Sequence, residues 1–234
     1  MLFRSELLPR LKRECPPNRQ TAVAYLSCAG AGESTMADAV KDLCGQPGIT
    51  IGTRLNDSII IFRIVADGQT QDAARERLDA VLPTVRERLK DWVFADGDVK
   101  PIFVLSQRLI ARGWTIAVSE SCTGGLLAAV INGNPGASAF FNEAHVLYSN
   151  ESKTKYAGVD HELIEKFGAV SPQCVERMAL NTLSAAGADI AIAVSGIAGP
   201  DGGTPEKPVG TVDFAIALKR RIITERRRLY GDRD

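Results

Sequence analysis

The chain has 234 residues, of which 45% are hydrophobic and 24% are charged. This composition excludes a disordered chain and predicts one large domain or two small ones. Lys and Arg balance Asp and Glu at 28 each, which argues against a general polyanion-binding surface. No apolar run approaches the roughly 18 residues of a membrane-spanning helix, and the first residues lack the apolar core of a secretory signal. We therefore expect a cytoplasmic protein with no membrane partner.

The first part of the chain predicts a linker followed by a small folded unit. Residues 1–19 predict a short helix and a linker, and a starting methionine directly before a linker indicates a missing upstream segment. Residues 20–93 predict a β-α-β-β-α unit from their hydrophobic periodicity. Its strands are predicted at 21–27, 49–54 and 58–66, and its helices at 33–44 and 71–89. Residues 91–99 are predicted to form a polar joint, with the domain boundary after residue 93.

Residues 94–234 predict a second unit in which helices and strands alternate. Helices are predicted at 100–112, up to about 131, from 150, and from 171 to about 186. Strands are predicted at 114–118, 143–148, 189–195, 211–218 and 222–230. Ser171 followed by Pro172 is typical of a helix start, because Ser caps and Pro suits the first helical position. The expected fold is a three-layer-like α/β domain preceded by a small α+β domain.

The first candidate site is the strand–loop–helix around residues 119–125, which read Ser-Glu-Ser-Cys-Thr-Gly-Gly. A loop of glycines and hydroxyls at a helix start offers backbone N–H groups that bind a phosphate or stabilise an oxyanion. Ser121 is a candidate nucleophile there, and Thr123 and Cys122 remain open as alternatives. A capped helix with glycines for close packing is the structural alternative. The loop matches neither a Walker loop nor a Gly-x-Ser-x-Gly elbow.

Lys153 is the second candidate, at the end of the segment 148–153. It lies near the start of a helix that Asn150 is predicted to cap, where the helix dipole disfavours a cation and favours a neutral amine. A neutral lysine can accept the proton of a serine nucleophile. On spacing alone, an ordinary surface lysine is the more common explanation.

The third candidate is the loop at residues 196–210, where five glycines and three prolines follow a buried-type strand. Ligands bind beyond the carboxyl ends of strands in open α/β sheets, which favours a binding loop over a simple surface connection. A Gly-x-x-Gly at residues 45–48 leads into a strand and is interpreted as a turn, because a nucleic-acid-binding KH loop joins two helices. The five cysteines and two histidines are too scattered for a zinc site or a disulfide framework.

Together these segments resemble the C-terminal domain of the CinA family of competence/damage-inducible proteins, a nicotinamide-nucleotide amidase module. The matching blocks stand in the family's order at residues 119–125, 148–153, 168–171, 195–203 and 207–211. Several matched blocks in sequence are far more specific than any one alone. Residues 20–93 are similar to the KH-type domain that precedes this amidase in long family members. Their upstream molybdopterin-binding-like domain has no counterpart in this sequence.

The resemblance implies hydrolysis of nicotinamide mononucleotide to nicotinate mononucleotide and ammonia, with no cofactor and no metal. It implies that Ser121 attacks, that Lys153 moves the proton, and that Thr123 and Tyr148 assist. Backbone N–H groups at residues 123–125 would hold the oxyanion. The substrate-binding residues implied by the resemblance are Gly124, Gly125, Ser195, Gly196, Gly199 and Arg233.

The sequence also departs from the family. Relatives continue into a C-terminal helix where this chain ends, so Phe214, Ile216 and Leu229 are expected to lack cover and to favour a homo-oligomer. The main alternative to an amidase is a catalytically silent nucleotide-binding or assembly module. Nucleic-acid binding through the KH-type unit is disfavoured by the zero net charge.

Overall fold

The computed structural model describes residues 3–14, 19–56 and 59–230 and divides the chain into two compact units, Met1–Val104 and Leu105–Asp234. A π-helical turn at Phe3–Leu7 and helix α1 at Leu8–Glu14 begin the first unit. The short helix that the sequence predicts is present. The predicted linker residues 15–18 lie outside the described residues.

The first unit is built on an antiparallel sheet with the strand order β2-β3-β1-β4. The strands are β1 Gln20–Cys28, β2 Ile49–Asn56, β3 Ile59–Gly68 and β4 Val93–Asp96. β2 pairs with β3 from Ile49 opposite Ala66 to Asn56 opposite Ile59, which confirms the predicted hairpin. The turn residues 57–58 are not among the described residues.

Helix α3, Gln71–Arg88, packs against this sheet. Its apolar residues recur every three or four positions, so they share one face, and Leu78 of the helix enters the same core as Phe62 of β3. Thr70 begins the helix, because its side-chain oxygen accepts the Ala73 N–H at 3.1 Å. The sequence-based prediction of this helix is confirmed.

Two features of the first unit differ from the predictions. Helix α2 covers only Glu33–Asp38 and is followed by a 3-10 turn at Lys41–Leu43, where a continuous helix over 33–44 was expected. Met36 in α2 and Val40, which immediately precedes the 3-10 turn, are both buried in the core of this unit all the same. The expected polar joint at 91–99 contains β4, which pairs with β1, so the sheet extends past the predicted boundary.

The second unit has a five-stranded sheet in the order β6-β5-β7-β8-β9. The strands are β5 Ile116–Glu120, β6 Phe141–Val146, β7 Ile190–Gly196, β8 Thr211–Leu218 and β9 Arg221–Arg228. The first three run parallel, and β8 and β9 run antiparallel to their neighbours. The chain leaves β5 for β6 on one side and returns to β7 on the other. The carboxyl end of β5 therefore faces a topological switch point, where open α/β sheets bind their ligands.

The remaining helices are α4 Pro101–Arg112, α5 Leu126–Asn132, α6 Asn150–Ala157, α7 His161–Phe167 and α8 Pro172–Ala186. Helix α8 packs on β7 and β8, and Met178 shares a buried core with the small strand residues Ala193 and Ala215. Ser171 caps it as predicted, accepting the Cys174 N–H at 3.2 Å. Helix α7 is not among the elements predicted from the sequence. Throughout the described residues, no helix combines the length and apolar character needed to cross a membrane.

The expectation of self-association stays a prediction. Ile216 and Leu229, at the β8–β9 end of the second sheet, are 37% and 54% exposed. We expect this end to pair with a second copy, so Ile216→Lys should lower the mass measured by light scattering toward 25.1 kDa. Leu55→Lys, which changes an exposed leucine of the first unit, is the matched control. A wild-type mass of 25.1 kDa at every concentration would contradict the prediction.

Candidate active site

The end of β5 places Ser121 at the carboxyl edge of the second sheet. Its backbone N–H donates to the Val194 carbonyl of β7 at 3.0 Å, and its own carbonyl accepts the Gly124 N–H at 3.1 Å. The first bond ties Ser121 to the sheet and the second closes a turn that leads into α5. Only 7% of Ser121 is exposed. The side chain is therefore held in place at the switch point.

Lys153 reaches the same point from α6. The helix is capped by Ser149, whose Oγ accepts the Ser152 N–H at 3.1 Å, so the prediction that Asn150 is the cap is wrong. The Nζ of Lys153 lies 3.0 Å from the Oγ of Ser121, and only 1% of Lys153 is exposed. This burial rules out an ordinary surface lysine. Two residues from separate sequence segments thus form a hydrogen-bonded pair.

Two backbone carbonyls complete the surroundings of the amine. The Nζ of Lys153 donates to the Leu147 carbonyl at 2.8 Å and to the Tyr148 carbonyl at 3.0 Å. A neutral amine has two N–H groups and one lone pair, so these two carbonyls leave the lone pair free for the proton of Ser121. Burial lowers the pKa of Lys153 from its usual 10.5, because a charged ammonium is poorly solvated there. The Cys174 and Cys122 thiols and then the Glu151 carboxylate act in the opposite direction and raise the pKa.

Glu120 is a buried carboxylate that the sequence analysis did not single out. It is fully buried, its Oε2 accepts the N–H groups of Gly125 at 3.1 Å and Leu127 at 3.0 Å, and its Oε1 accepts that of Ala128 at 2.8 Å. The Gly124 N–H is already engaged in the turn. The oxyanion role predicted for the amides of Gly124 and Gly125 is therefore not available in this geometry. An acidic residue directly before a glycine-rich helix start was the signal that could have indicated this cap.

The other two candidate nucleophiles are less well placed. Thr123 Oγ1 is buried and has no hydrogen-bond partner among the described residues. Burial raises the pKa of the Cys122 thiol, although the backbone amides of Cys122 and Thr123 oppose that effect. In the part of the chain that the structure describes, Ser121 is the one of the three whose side chain is bonded to Lys153.

The Ser121–Lys153 pair opens into a cleft of about 260 Å³. Tyr148 is one of its lining residues, is 66% exposed, and contacts Lys153 through its backbone carbonyl. The Ser195 Oγ donates to the Ala169 carbonyl at 2.8 Å and joins two walls of the cleft. The lining residues are Ser121, Cys122, Tyr148, Asn150, Lys153, Ala169, Val170, Ser195, Gly196, Ile197, Ala198, Gly199, Asp201 and Gly202.

Lys207 is a second residue that sequence reasoning missed. Its Nζ donates to the carbonyls of Phe167 at 2.6 Å and Val170 at 2.7 Å. The glycine- and proline-rich loop is thereby tied to the segment that forms the opposite wall. The presence of a lysine inside a glycine- and proline-rich loop was the sequence feature that could have indicated this role. Arg233, predicted to bind phosphate, lies outside the described residues. Over residues 3–14, 19–56 and 59–230, no group of three or more His, Cys, Asp or Glu side chains could hold a metal ion.

Gly196 is a position where the cleft wall tolerates no added volume. A Cβ there would lie 2.9 Å from Val212 Cγ2 and 3.0 Å from both Cys122 Sγ and the Thr211 carbonyl oxygen. We expect Gly196→Ala to lower the free energy of unfolding by about 1–3 kcal/mol, because the neighbours must shift. Urea denaturation measures the effect, and Gly52→Ala is the control, since nothing lies within 4 Å of its added Cβ. An equal free energy of unfolding for the two variants would show that the atoms around residue 196 move aside at no measurable cost.

A serine and a buried lysine at the switch point of a mixed five-stranded sheet define an α/β protein with a Ser–Lys pair at its candidate active site. Family models point to the same part of the chain. The model of the CinA C-terminal domain matches residues 102–234, and that of the damage-inducible protein CinA KH domain matches residues 24–95. The chain belongs to the CinA family, which confirms the resemblance and the α/β fold with a preceding α+β domain.

Individual relatives agree with this assignment. The CinA-like proteins of Dictyoglomus thermophilum and Dictyoglomus turgidum are 39% and 35% identical over 89% and 97% of this chain, which covers 51% and 59% of them. The crystal structure of competence damage-inducible protein A from Klebsiella pneumoniae superimposes with a TM-score of 0.53 and a sequence identity of 44%. The match covers 55% of this chain and 80% of that one. Protein CihA from Agrobacterium tumefaciens is 38% identical with a TM-score of 0.53, over 58% and 84%. The chain spans somewhat over half the length of these curated relatives.

Proposed function

We propose that the second unit is an amidase that hydrolyses the carboxamide of nicotinamide mononucleotide to nicotinate mononucleotide and ammonia. The observation that carries the proposal is the 3.0 Å contact between the buried Nζ of Lys153 and the Oγ of Ser121. A serine is a weak nucleophile until a base takes its proton. A lysine with a lowered pKa next to that serine is such a base.

The proposed reaction has two halves. Ser121 Oγ attacks the carboxamide carbon while its proton passes to Lys153, and the tetrahedral intermediate then collapses as Lys153 returns the proton to the departing ammonia. An ester between Ser121 and the nicotinate group remains. Water then attacks this ester with Lys153 again accepting a proton, and Ser121 recovers its hydrogen when nicotinate mononucleotide leaves. Both halves use one proton carrier, which suits a site with a single buried amine.

The negative oxygen of the intermediate needs donors, and the engaged amides of α5 cannot supply them. The backbone N–H groups of Cys122 and Thr123 lie at the same turn, where they interact with the Cys122 thiol and not with the Glu120 carboxylate. We assign them the oxyanion role in place of Gly124 and Gly125. Donors fixed on a rigid turn are effective because they need no reorganisation during the reaction.

The substrate class rests on the cleft and on the family resemblance. A cleft of about 260 Å³ suits part of a mononucleotide, and the exposed ring of Tyr148 offers a surface for the pyridine. Lys153 is the only cation among the lining residues that the structure describes, and its amine is committed to Ser121 and two carbonyls. The family resemblance implies Arg233 as the phosphate partner, and we propose it in that role. The reaction needs no cofactor or metal.

The test is to incubate the protein with nicotinamide mononucleotide and to follow nicotinate mononucleotide by chromatography and ammonia by a coupled assay. Free nicotinamide, which lacks the ribose phosphate, is the matched substrate control and should react far more slowly. Equal turnover of both would refute a nucleotide-specific site. Binding of the nucleotide with no ammonia released would instead indicate a catalytically silent binding module.

A further inference from the structure

The geometry points to Glu120 as a positioning residue for the Ser–Lys pair, an inference that rests on the proposed function. Its side chain is fully buried, and none of the ion pairs found within the described residues joins it to a lysine or arginine. Both of its carboxylate oxygens accept hydrogen bonds from the backbone N–H groups of Gly125, Leu127 and Ala128. Burying a carboxylate without a cationic partner costs free energy unless such donors hydrogen-bond to it. The burial of Glu120 therefore indicates a role for its side chain.

The position of Glu120 in the chain connects this bond set to the nucleophile. Glu120 is the last residue of β5, and Ser121 is the next residue. The three bonded amides lie on the far side of the turn, at the start of α5. The carboxylate therefore bridges the two ends of the turn that carries Ser121. Without it, the turn would be held by backbone bonds alone, those of Ser121 with Val194 and Gly124 and that of the Leu126 N–H with the Thr123 carbonyl.

The backbone of the same residue is linked to the base. The Glu120 carbonyl accepts the Leu147 N–H at 2.6 Å, and the Leu147 carbonyl accepts the Nζ of Lys153 at 2.8 Å. Residue 120 thus stands between nucleophile and base, with its side chain fixing the first and its backbone supporting the second. A shift of about 1 Å between reacting groups can cost roughly a hundredfold in rate, so small motions of this turn matter.

Glu120→Gln tests this role. The amide keeps the size of the side chain, but its –NH2 group faces N–H donors that only an oxygen can accept, so at least one bond is lost. We expect kcat for nicotinamide mononucleotide to fall by about tenfold or more with KM changed less than about threefold. A purely structural role would lower the melting temperature and leave kcat of the folded enzyme unchanged. Glu120→Asp keeps the charge on a shorter side chain, so its kcat should lie between that of the wild type and that of Glu120→Gln.

A second readout does not depend on the natural substrate. Phenylmethanesulfonyl fluoride labels an activated serine: the Ser121 Oγ–sulfur bond forms, the sulfur–fluorine bond breaks, fluoride leaves and the serine proton passes to Lys153. The labelling rate, followed by peptide mass, should fall in Glu120→Gln by about the same factor as kcat. Thr70→Ala is the matched control, because it removes a helix cap from the first unit and should lower stability while leaving labelling and kcat unchanged.

The outcomes separate the two proposals. A wild-type protein that is labelled at Ser121 but does not hydrolyse the nucleotide would refute the proposed function and leave the role of Glu120 to be decided by the labelling rates. Wild-type labelling and turnover that persist unchanged in folded Glu120→Gln would refute the positioning role. A wild-type protein that is neither labelled nor active would refute both.

Discussion

Ser121→Ala and Lys153→Met should each lower kcat for amide hydrolysis by about three orders of magnitude or more, and the double variant should be little worse than either single one. Ser121 and Lys153 share one hydrogen bond at 3.0 Å and act on one proton, so removing either partner disables the other. Met is chosen because it fills the space of the lysine stem without an amine. Steady-state kinetics with nicotinamide mononucleotide measures the effect.

Two controls make this result specific. Circular dichroism and melting curves should show folded variants, with Lys153→Met less stable by about 1–3 kcal/mol because the carbonyls of Leu147 and Tyr148 lose their donor. Cys122→Ala tests the neighbouring thiol and should retain most of the activity. Additive losses would mean that Lys153 only binds substrate. Activity lost in Cys122→Ala but kept in Ser121→Ala would move the nucleophile to the thiol.

The pH dependence of kcat/KM should show an acid limb that belongs to Lys153. The base must be neutral, so activity rises as pH rises through the pKa of Lys153 in the free enzyme and is lost below it. Burial lowers that pKa from 10.5, so the limb should lie below pH 10.5. The free energy of unfolding should change with pH in the same direction as activity. Between the lowered pKa and pH 10.5 the unfolded chain binds more protons than the folded one, so the free energy of unfolding falls as pH falls through this range.

Glu151→Gln provides a directional test of this assignment. The Glu151 carboxylate raises the pKa of Lys153, so its neutralisation should shift the acid limb to lower pH. Glu162→Gln removes an equal charge that has no such effect on Lys153 and should leave the limb in place. The measurement is kcat/KM from acid to alkaline pH for the wild type and both variants. A limb that moves equally in both variants, or moves upward in Glu151→Gln, would assign the titration to another group.

The order of the elements could be predicted from the sequence because it depends on local patterns. Apolar residues three and four positions apart defined α3, and Ser171 with Pro172 defined the start of α8. The break in α2 and the strand β4 could not be predicted in the same way. The helical spacing of Met36 and Val40 does not show that α2 ends at Asp38, and β4 is held by pairing with the distant β1.

The candidate site shows the same division between local pattern and long-range contact. The motif blocks located Ser121 and Lys153 separately, but their spacing alone favoured a surface lysine. Their contact depends on parallel strands β5 and β6 ending at one edge of the sheet, which brings together residues 32 positions apart. The amides of Gly124 and Gly125 were predicted to be free, because local sequence does not show that a side chain will fold back onto them.

The family, the two-part organisation and the residue types that a serine–lysine reaction needs follow from the amino-acid sequence alone, since these are properties of short segments and their order. Which groups are buried and which are already bonded depends on the folded chain. Burial lowers the pKa of Lys153, and the Glu120 carboxylate accepts the helix N–H groups that the motif alone would leave to a ligand. Both effects come from desolvation and hydrogen bonding between segments that meet only when the sheet forms.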